Sequence, residues 1–371
     1  MGLSKTIWSK PIEYLTHNHP EAPVMFFAPG ALQDTARRFI DRFPGQVAYA
    51  VRANPEEAVI SNLAAAGMRA FSVSSPAEVK LILRLAPEAQ LHYSHPIRSL
   101  SEVALAVASD VDSYAVDCGS ELEKLLGVVP QGKEIAVRFT LTPSKFGADM
   151  AEAAALLARV AAAGYQSALA FHVGTQCHDA SVWTRHIEAA AQIATMANVR
   201  IARLNVGGAF PSHRMSQERP DLTAIFAAID LAAKEAFGEA LPTLVCEPGR
   251  GMVADCFSLA ARVKALRGTE DVFLNDGIHG ALNELAILGL TDRIEVITPA
   301  GQHLAGEGTP RTLYGPTNNP ADRLPGQIPL PAQMAEGDYV IFHDMGAYSI
   351  ATANRFNGYG ESTFQTVLFL S

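Results

Sequence analysis

Residues able to do chemistry gather where short apolar runs end. Arg52 and Asn54 follow VAYAV, Ser72 sits in AFSV, and Ser94 and His95 close QLHYS and open the next segment. His172 lies in ALAFHV, Gly207-Gly208 follow IARLNV, and Glu247, Gly249 and Arg250 follow TLVC. Paired glycines free backbone N–H groups to face a ligand, and such groups beside an arginine form an anion clamp. A carboxylate next to that clamp, Glu247, suits a phosphorylated pyridine cofactor whose ring nitrogen needs a negative partner. Taken singly, each residue has a blander reading: a satisfied core histidine, turn glycines, a salt-bridged glutamate. Their shared placement at the ends of apolar runs favours a cofactor pocket.

The elements that must position them alternate regularly. Apolar runs at 47–51, 70–73, 90–94, 112–116, 135–139, 168–173, 201–206 and 243–246 have the length of strands buried on both faces. Helix-like stretches separate them, including EEAVISNLAAAG, SPAEVKLILRLA, AEAAALLARVAAAG and residues 180–196. Strict alternation implies parallel strands, an α/β class, and eight units able to close as a (β/α)8 TIM-type barrel. An open doubly wound sheet is the structural rival, but no GxGxxG opens a helix after the first strand. In such a barrel the active site lies at the C-terminal strand ends, with phosphate held after strands seven and eight. Beyond Gly249 the texture changes to strands at 257–266 and 338–342 around the turn-rich PTNNPADRLPGQIPLP, and VMFFA (24–28) is a further strand ahead of the barrel. The expected division is a barrel over 30–256 and a C-terminal β-sandwich or barrel domain from 257–371, joined by 1–29.

Composition bounds the function. The chain has 371 residues, 49% hydrophobic and 18% charged, enough for a large core. A net charge of −9 with no Lys/Arg-rich run argues against a nucleic-acid or anionic-membrane partner. The N-terminus lacks a signal-peptide core, and apolar stretches are too short to span a bilayer. Four cysteines without CxxC spacing fit a reduced, cytoplasmic protein. His178 and His186, eight apart, have no carboxylates at ligand spacing around them, and no residue is assigned to a metal.

A family resemblance then emerges from ordered motifs: YAVRAN (49–54), SPAEV (75–79), SKFG (144–147), FHVGTQC (171–177), LNVGGAFP (204–211), CEPGR (246–250), NDGIHGALN (275–283), YGPTNNPAD (314–322) and DMGAYSIATANRFNGYG (344–360). In this order they resemble the fold-type III pyridoxal-phosphate decarboxylases of ornithine, diaminopimelate and arginine, and the last motif leans to the ornithine branch. The resemblance implies pyridoxal 5'-phosphate as cofactor, a small amino acid as substrate, a lyase activity of the polyamine-biosynthesis type, and a homodimer whose β domain serves the partner's active site. It implies that His172 stacks on the cofactor ring and that Glu247 keeps the pyridine nitrogen protonated. Gly207, Gly208, Gly249 and Arg250 would bind phosphate with Tyr348 and Thr175. Asn318 would stand at a catalytic position, and Asn319 and Asp322 at the substrate.

The chain departs from that pattern at chosen points. Arg52 stands where the family has the lysine that forms a Schiff base with the cofactor aldehyde. A guanidinium stays protonated below about pH 12 and cannot serve as that amine, so the cofactor is expected to bind noncovalently. Lys145 is the alternative amine to examine. Ser72 replaces an acid, Asn318 replaces a proton-donating cysteine, Asn319 another acid, and Ile287-Leu288 a Tyr-Asp pair for the distal amine; Ala209 replaces the third glycine. The expected function is an amino-acid decarboxylase with altered or lost activity. The alternatives are an inactive regulatory homologue, in a homo- or heterodimer, and a related enzyme racemising or oxidising a free amino acid.

Overall fold

The computed structural model describes residues 7–217, 219–289 and 291–371. After a first strand, β1 (Val24–Phe27), eight strands form a closed parallel barrel. They are β2 (Gly45–Ala50), β3 (Ala70–Val73), β4 (Gln90–Tyr93), β5 (Ser113–Val116), β6 (Glu134–Arg138), β7 (Gln166–Ala170), β8 (Arg203–Asn205) and β9 (Thr243–Cys246). Closure comes from β2 pairing with β9, Val47 opposite Cys246. All eight expected strands are there, in the expected order. Helix starts are set locally: Ser75, Ser99 and Asp149 each accept the backbone N–H three residues on, ahead of helices Pro76–Leu85, Leu100–Ala108 and Met150–Ala162. Among the described residues no helix is long and apolar enough to cross a membrane.

Alternate residues of each barrel strand point inward. Several are small: Ala115, Ala136 and Ala170 line an interior cavity. The wall therefore stays hollow towards the C-terminal strand ends. Its floor is polar. Glu134 accepts the Ser113 hydroxyl at 2.6 Å and pairs with Arg203 at 3.3 Å. Arg203 also donates to Gln46 at 2.6 Å and meets Nε2 of His92 at 3.2 Å. Burial, helped by the Arg203 charge, pulls His92 down to about 3, so the ring is neutral and accepts from the guanidinium.

One aromatic clamp fixes the loop after β8. Trp183 stacks on Phe210 with centroids 5.3 Å apart, its indole N–H donates to the Val206 carbonyl at 3.2 Å, and Phe39 and Phe226 meet Phe210 edge-on. The clamp thus grips both sides of Gly207–Ala209.

Residues 36–211 and 220–252 make up the barrel unit; 212–219, 253–371 and the segment ending at residue 35 make the other. The second unit is a mixed sheet of β1 with β10 (Phe257–Arg267), β11 (Asp271–Leu274), β12 (Ile294–Ile297), β13 (His303–Leu304), β14 (Gly308–Tyr314), β15 (Ile328–Pro331), β16 (Tyr339–His343) and β17 (Thr363–Thr366). Its path runs β13-β12-β16-β10-β11-β14-β15, while β1 pairs antiparallel with β10 and parallel with β17. Leu15, Val24, Phe26, Ala260, Ile341 and Val367 share its core.

Candidate active site

The barrel cavity, about 240 Å³, is lined by Arg52, Arg138, Phe146, His172, Asn205, Gly207 and Glu247 among others. All but Phe146, which lies in the loop after β6, come from a strand end or the turn that follows it. Arg52 sits in a 3-10 turn, Val51–Ala53, directly after β2. Its Nη1 donates to Ser72 Oγ at 3.2 Å, and Ser72 shares a 2.7 Å hydrogen bond with Ser94. Glu78 feels the Arg52 charge; burial raises its carboxyl, against the Ser74 N–H donated to it at 2.6 Å and the guanidinium.

Arg138 ends β6 with its guanidinium 5.3 Å above the Phe146 ring. Burial lowers its pKa; Glu247 opposes this and the like charge of Arg52 adds to it. His172 follows β7. Depth in the cleft, then the charges of Arg52 and Arg138, pull it down to about 4. The residue is nonetheless solvent-accessible through the cavity, so water reaches a ring that stays neutral near pH 7. Its Nδ1 accepts the Gly208 N–H at 3.4 Å, which leaves the proton on Nε2.

Glu247, only 6% exposed, has its Oε1 held by the Asn205 amide at 2.9 Å. The same Asn205 accepts the Gly207 N–H at 2.9 Å, tying loop and acid together. Glycine is required here. A Cβ on Gly207, at φ +73, would stand 2.4 Å from the Phe171 carbonyl oxygen, and one on Gly208 would stand 2.5 Å from that of Glu247. Ala209 adopts φ +68, the conformation a third glycine would take at no cost. Gly249 is buried beside Arg250, whose Nε donates to Thr175 Oγ1 at 3.3 Å.

The remaining expected site residues lie in the sheet unit. Asn318 N–H donates to Asn357 at 2.9 Å, and the Asn319 amide meets His279 at 2.9 Å. Asp322 is buried and accepts from the Thr317 N–H and hydroxyl and the Ile278 N–H at 3.0, 2.6 and 2.9 Å. Tyr348 is half-buried with φ +60 ahead of a helical turn, Ser349–Thr352. Arg138 and Asn205 are cavity residues that sequence reasoning missed, because each sits one residue inside the end of an apolar run, before Phe139 and Val206. Among the described residues no lysine lines the cavity. Lys145 is exposed, its ammonium 4.9 Å from the Phe146 ring centre.

Residues 30–254 match the family model described as pyridoxal-dependent decarboxylase, pyridoxal binding domain. The chain belongs to the pyridoxal-dependent decarboxylase family. It is 27% identical to ornithine decarboxylase of Mus musculus over 346 residues, 84% of this chain and 73% of that protein. It is 28% identical to antizyme inhibitor 2 of Xenopus laevis, over 85% and 74% of the two chains. Among solved structures, lysine/ornithine decarboxylase of Vibrio vulnificus complexed with cadaverine superposes with a TM-score of 0.83 at 26% identity, covering 96% and 97%. Lysine decarboxylase of Selenomonas ruminantium does so with 0.83 at 25%, covering 100% and 97%.

The family's cofactor can be tested against the cavity itself. A glycine cradle that no Cβ could enter, an arginine beside it, a neutral imidazole and a positioned carboxylate fit the phosphate, ring and pyridine nitrogen of pyridoxal phosphate. Among the described residues the cavity wall offers no amine for its aldehyde.

Proposed function

We propose that this chain binds pyridoxal phosphate without a covalent bond to protein and acts slowly, as a decarboxylase, on an amino acid other than ornithine or lysine. The observation that carries the proposal is Arg52, a permanent cation in a cavity otherwise suited to the cofactor. When bound, the cofactor supplies an electron sink for charge left at the substrate's α-carbon. In this reading His172 presents a neutral face to the ring, Glu247, held by Asn205, keeps a proton at the pyridine nitrogen, and Gly207, Gly208, Gly249, Arg250 and Thr175 take the phosphate. Tyr348, Asn318, Asn319 and Asp322 would serve a partner's barrel in a homodimer. Asn318 cannot deliver a proton, so a returning proton would come from water.

A second reading is a regulatory member without turnover. Arg52 and the likeness to antizyme inhibitor 2, named for inhibition, favour it. Reconstitution decides between them. The protein is loaded with pyridoxal phosphate, dialysed, and assayed for CO2 release on basic, acidic and small amino acids beside Arg52→Lys. Exchangeable cofactor and slow release that Arg52→Lys speeds support the enzyme. No uptake and no release by either protein leave the regulator.

A further inference from the structure

The cavity carries more positive charge than a cofactor ring and phosphate would use. Among the described residues Arg138 makes no side-chain hydrogen bond, only its contact with the Phe146 ring, and Arg52 commits a single nitrogen, to Ser72. Both guanidiniums line the same space. Three acids act on them, Glu247 and Asp117 on Arg138 and Glu78 with Arg52, and each already accepts from a neutral donor: Asn205, the Gly147 N–H and the Ser74 N–H. Of the three imidazoles that line the wall, His92, His95 and His172, burial keeps His172 and His92 neutral near pH 7. The two guanidiniums thus face one another across a shared cavity, Glu247 and Asp117 offsetting part of that repulsion at Arg138, and a bound anion would ease the rest. Planar guanidinium forks match a carboxylate in two hydrogen bonds each.

We propose that Arg52 and Arg138 together bind a carboxylate of the ligand, so that this cavity selects dicarboxylic compounds, acidic amino acids among them, over diamines and basic amino acids. Asn318, Asn319, Ile287 and Leu288 point the same way, because none carries a charge to counter a distal ammonium, and the one acid expected at the substrate, Asp322, already accepts from Thr317 and Ile278. The inference gives a substrate class to the cavity of the proposed function and rests on that reading only for which site is meant, because carboxylate binding needs no cofactor.

The test is calorimetric titration of the whole protein, without added cofactor, with succinate and glutarate and with cadaverine as the cationic control. Dicarboxylate binding that weakens with salt and drops tenfold or more in Arg52→Gln is expected, with Arg52→Lys falling between the two because it keeps the charge and loses the fork. Cadaverine binding as tightly as succinate, no succinate binding, or an unchanged affinity in Arg52→Gln overturns it. A second readout needs no variant. Bound succinate should raise the His172 pKa in an NMR titration, and an unmoved imidazole counts against the site. Pyridoxal-phosphate uptake is followed in parallel by absorbance. Succinate binding without cofactor uptake sinks the proposed function and spares this site; cofactor uptake without succinate binding does the reverse.

Discussion

Arg52 can be interrogated through its neighbour His172. The imidazole is pulled from 6.5 to about 4, first by depth in the cleft, then by Arg52, then by Arg138. Arg52→Gln keeps polarity and removes one of the two charges. Since desolvation outranks either arginine, Arg52 supplies less than half of a depression of roughly 2.5 pH units. Its removal should lift His172 by roughly half to one pH unit. Arg52→Lys, which keeps a cation, should leave the ring nearly as low. The assay is a histidine side-chain NMR titration between pH 3 and 8, with His172→Gln used to assign the resonance. A His172 pKa that stays near 4 in Arg52→Gln would show that the guanidinium does not act on the ring, and the account of the cavity as a two-cation site would fall with it.

Other expectations follow from the same geometry. Gly208→Ala should cost about 1–3 kcal/mol in urea unfolding and weaken pyridoxal-phosphate uptake at least tenfold, because its Cβ meets the Glu247 carbonyl at 2.5 Å; unaltered uptake would remove that loop from the phosphate site. His92, folded at about 3 against 6.5 when free, stabilises the barrel fully above pH 6.5 and loses this as pH falls towards 3, roughly 4–5 kcal/mol at the limit. Denaturation from pH 7 to 4 should therefore be flatter in His92→Gln. Asp276 has the opposite sign: burial raises it to about 7, so its contribution fades as pH climbs from about 4 to 7, by up to roughly 4 kcal/mol. Asp276→Asn should flatten that slope in the sheet unit, read by hydrogen exchange of its amides.

The barrel was legible because each of its strands is a short, mainly apolar run followed by a helix-like stretch, several of them opened by a capping Ser or Asp, and burial on both faces leaves no other use for such runs. Glu247, His172 and the glycine pair could be picked out because polar residues interrupt those runs at one end. Arg138 escaped notice because Phe139 follows it and the run reads as unbroken. The floor was hidden for a different reason. Glu134 and Arg203 lie where strands begin, a place where charge is ordinary, and only the register Ser113 opposite Glu134, with Arg203 on β8, brings them together. The order of the second sheet was not legible at all. β1 pairs with β10 and β17, partners more than two hundred residues away, and local pattern carries no trace of that.

That floor also constrains how the barrel can form. Sliding β6 or β8 by one residue would turn Glu134 or Arg203 outward and strand the other as a lone ion in a low-dielectric interior. Apolar strands on their own tolerate such slips. A charged pair sunk among them acts as a registration pin, so the shape of the space above is decided before any ligand arrives.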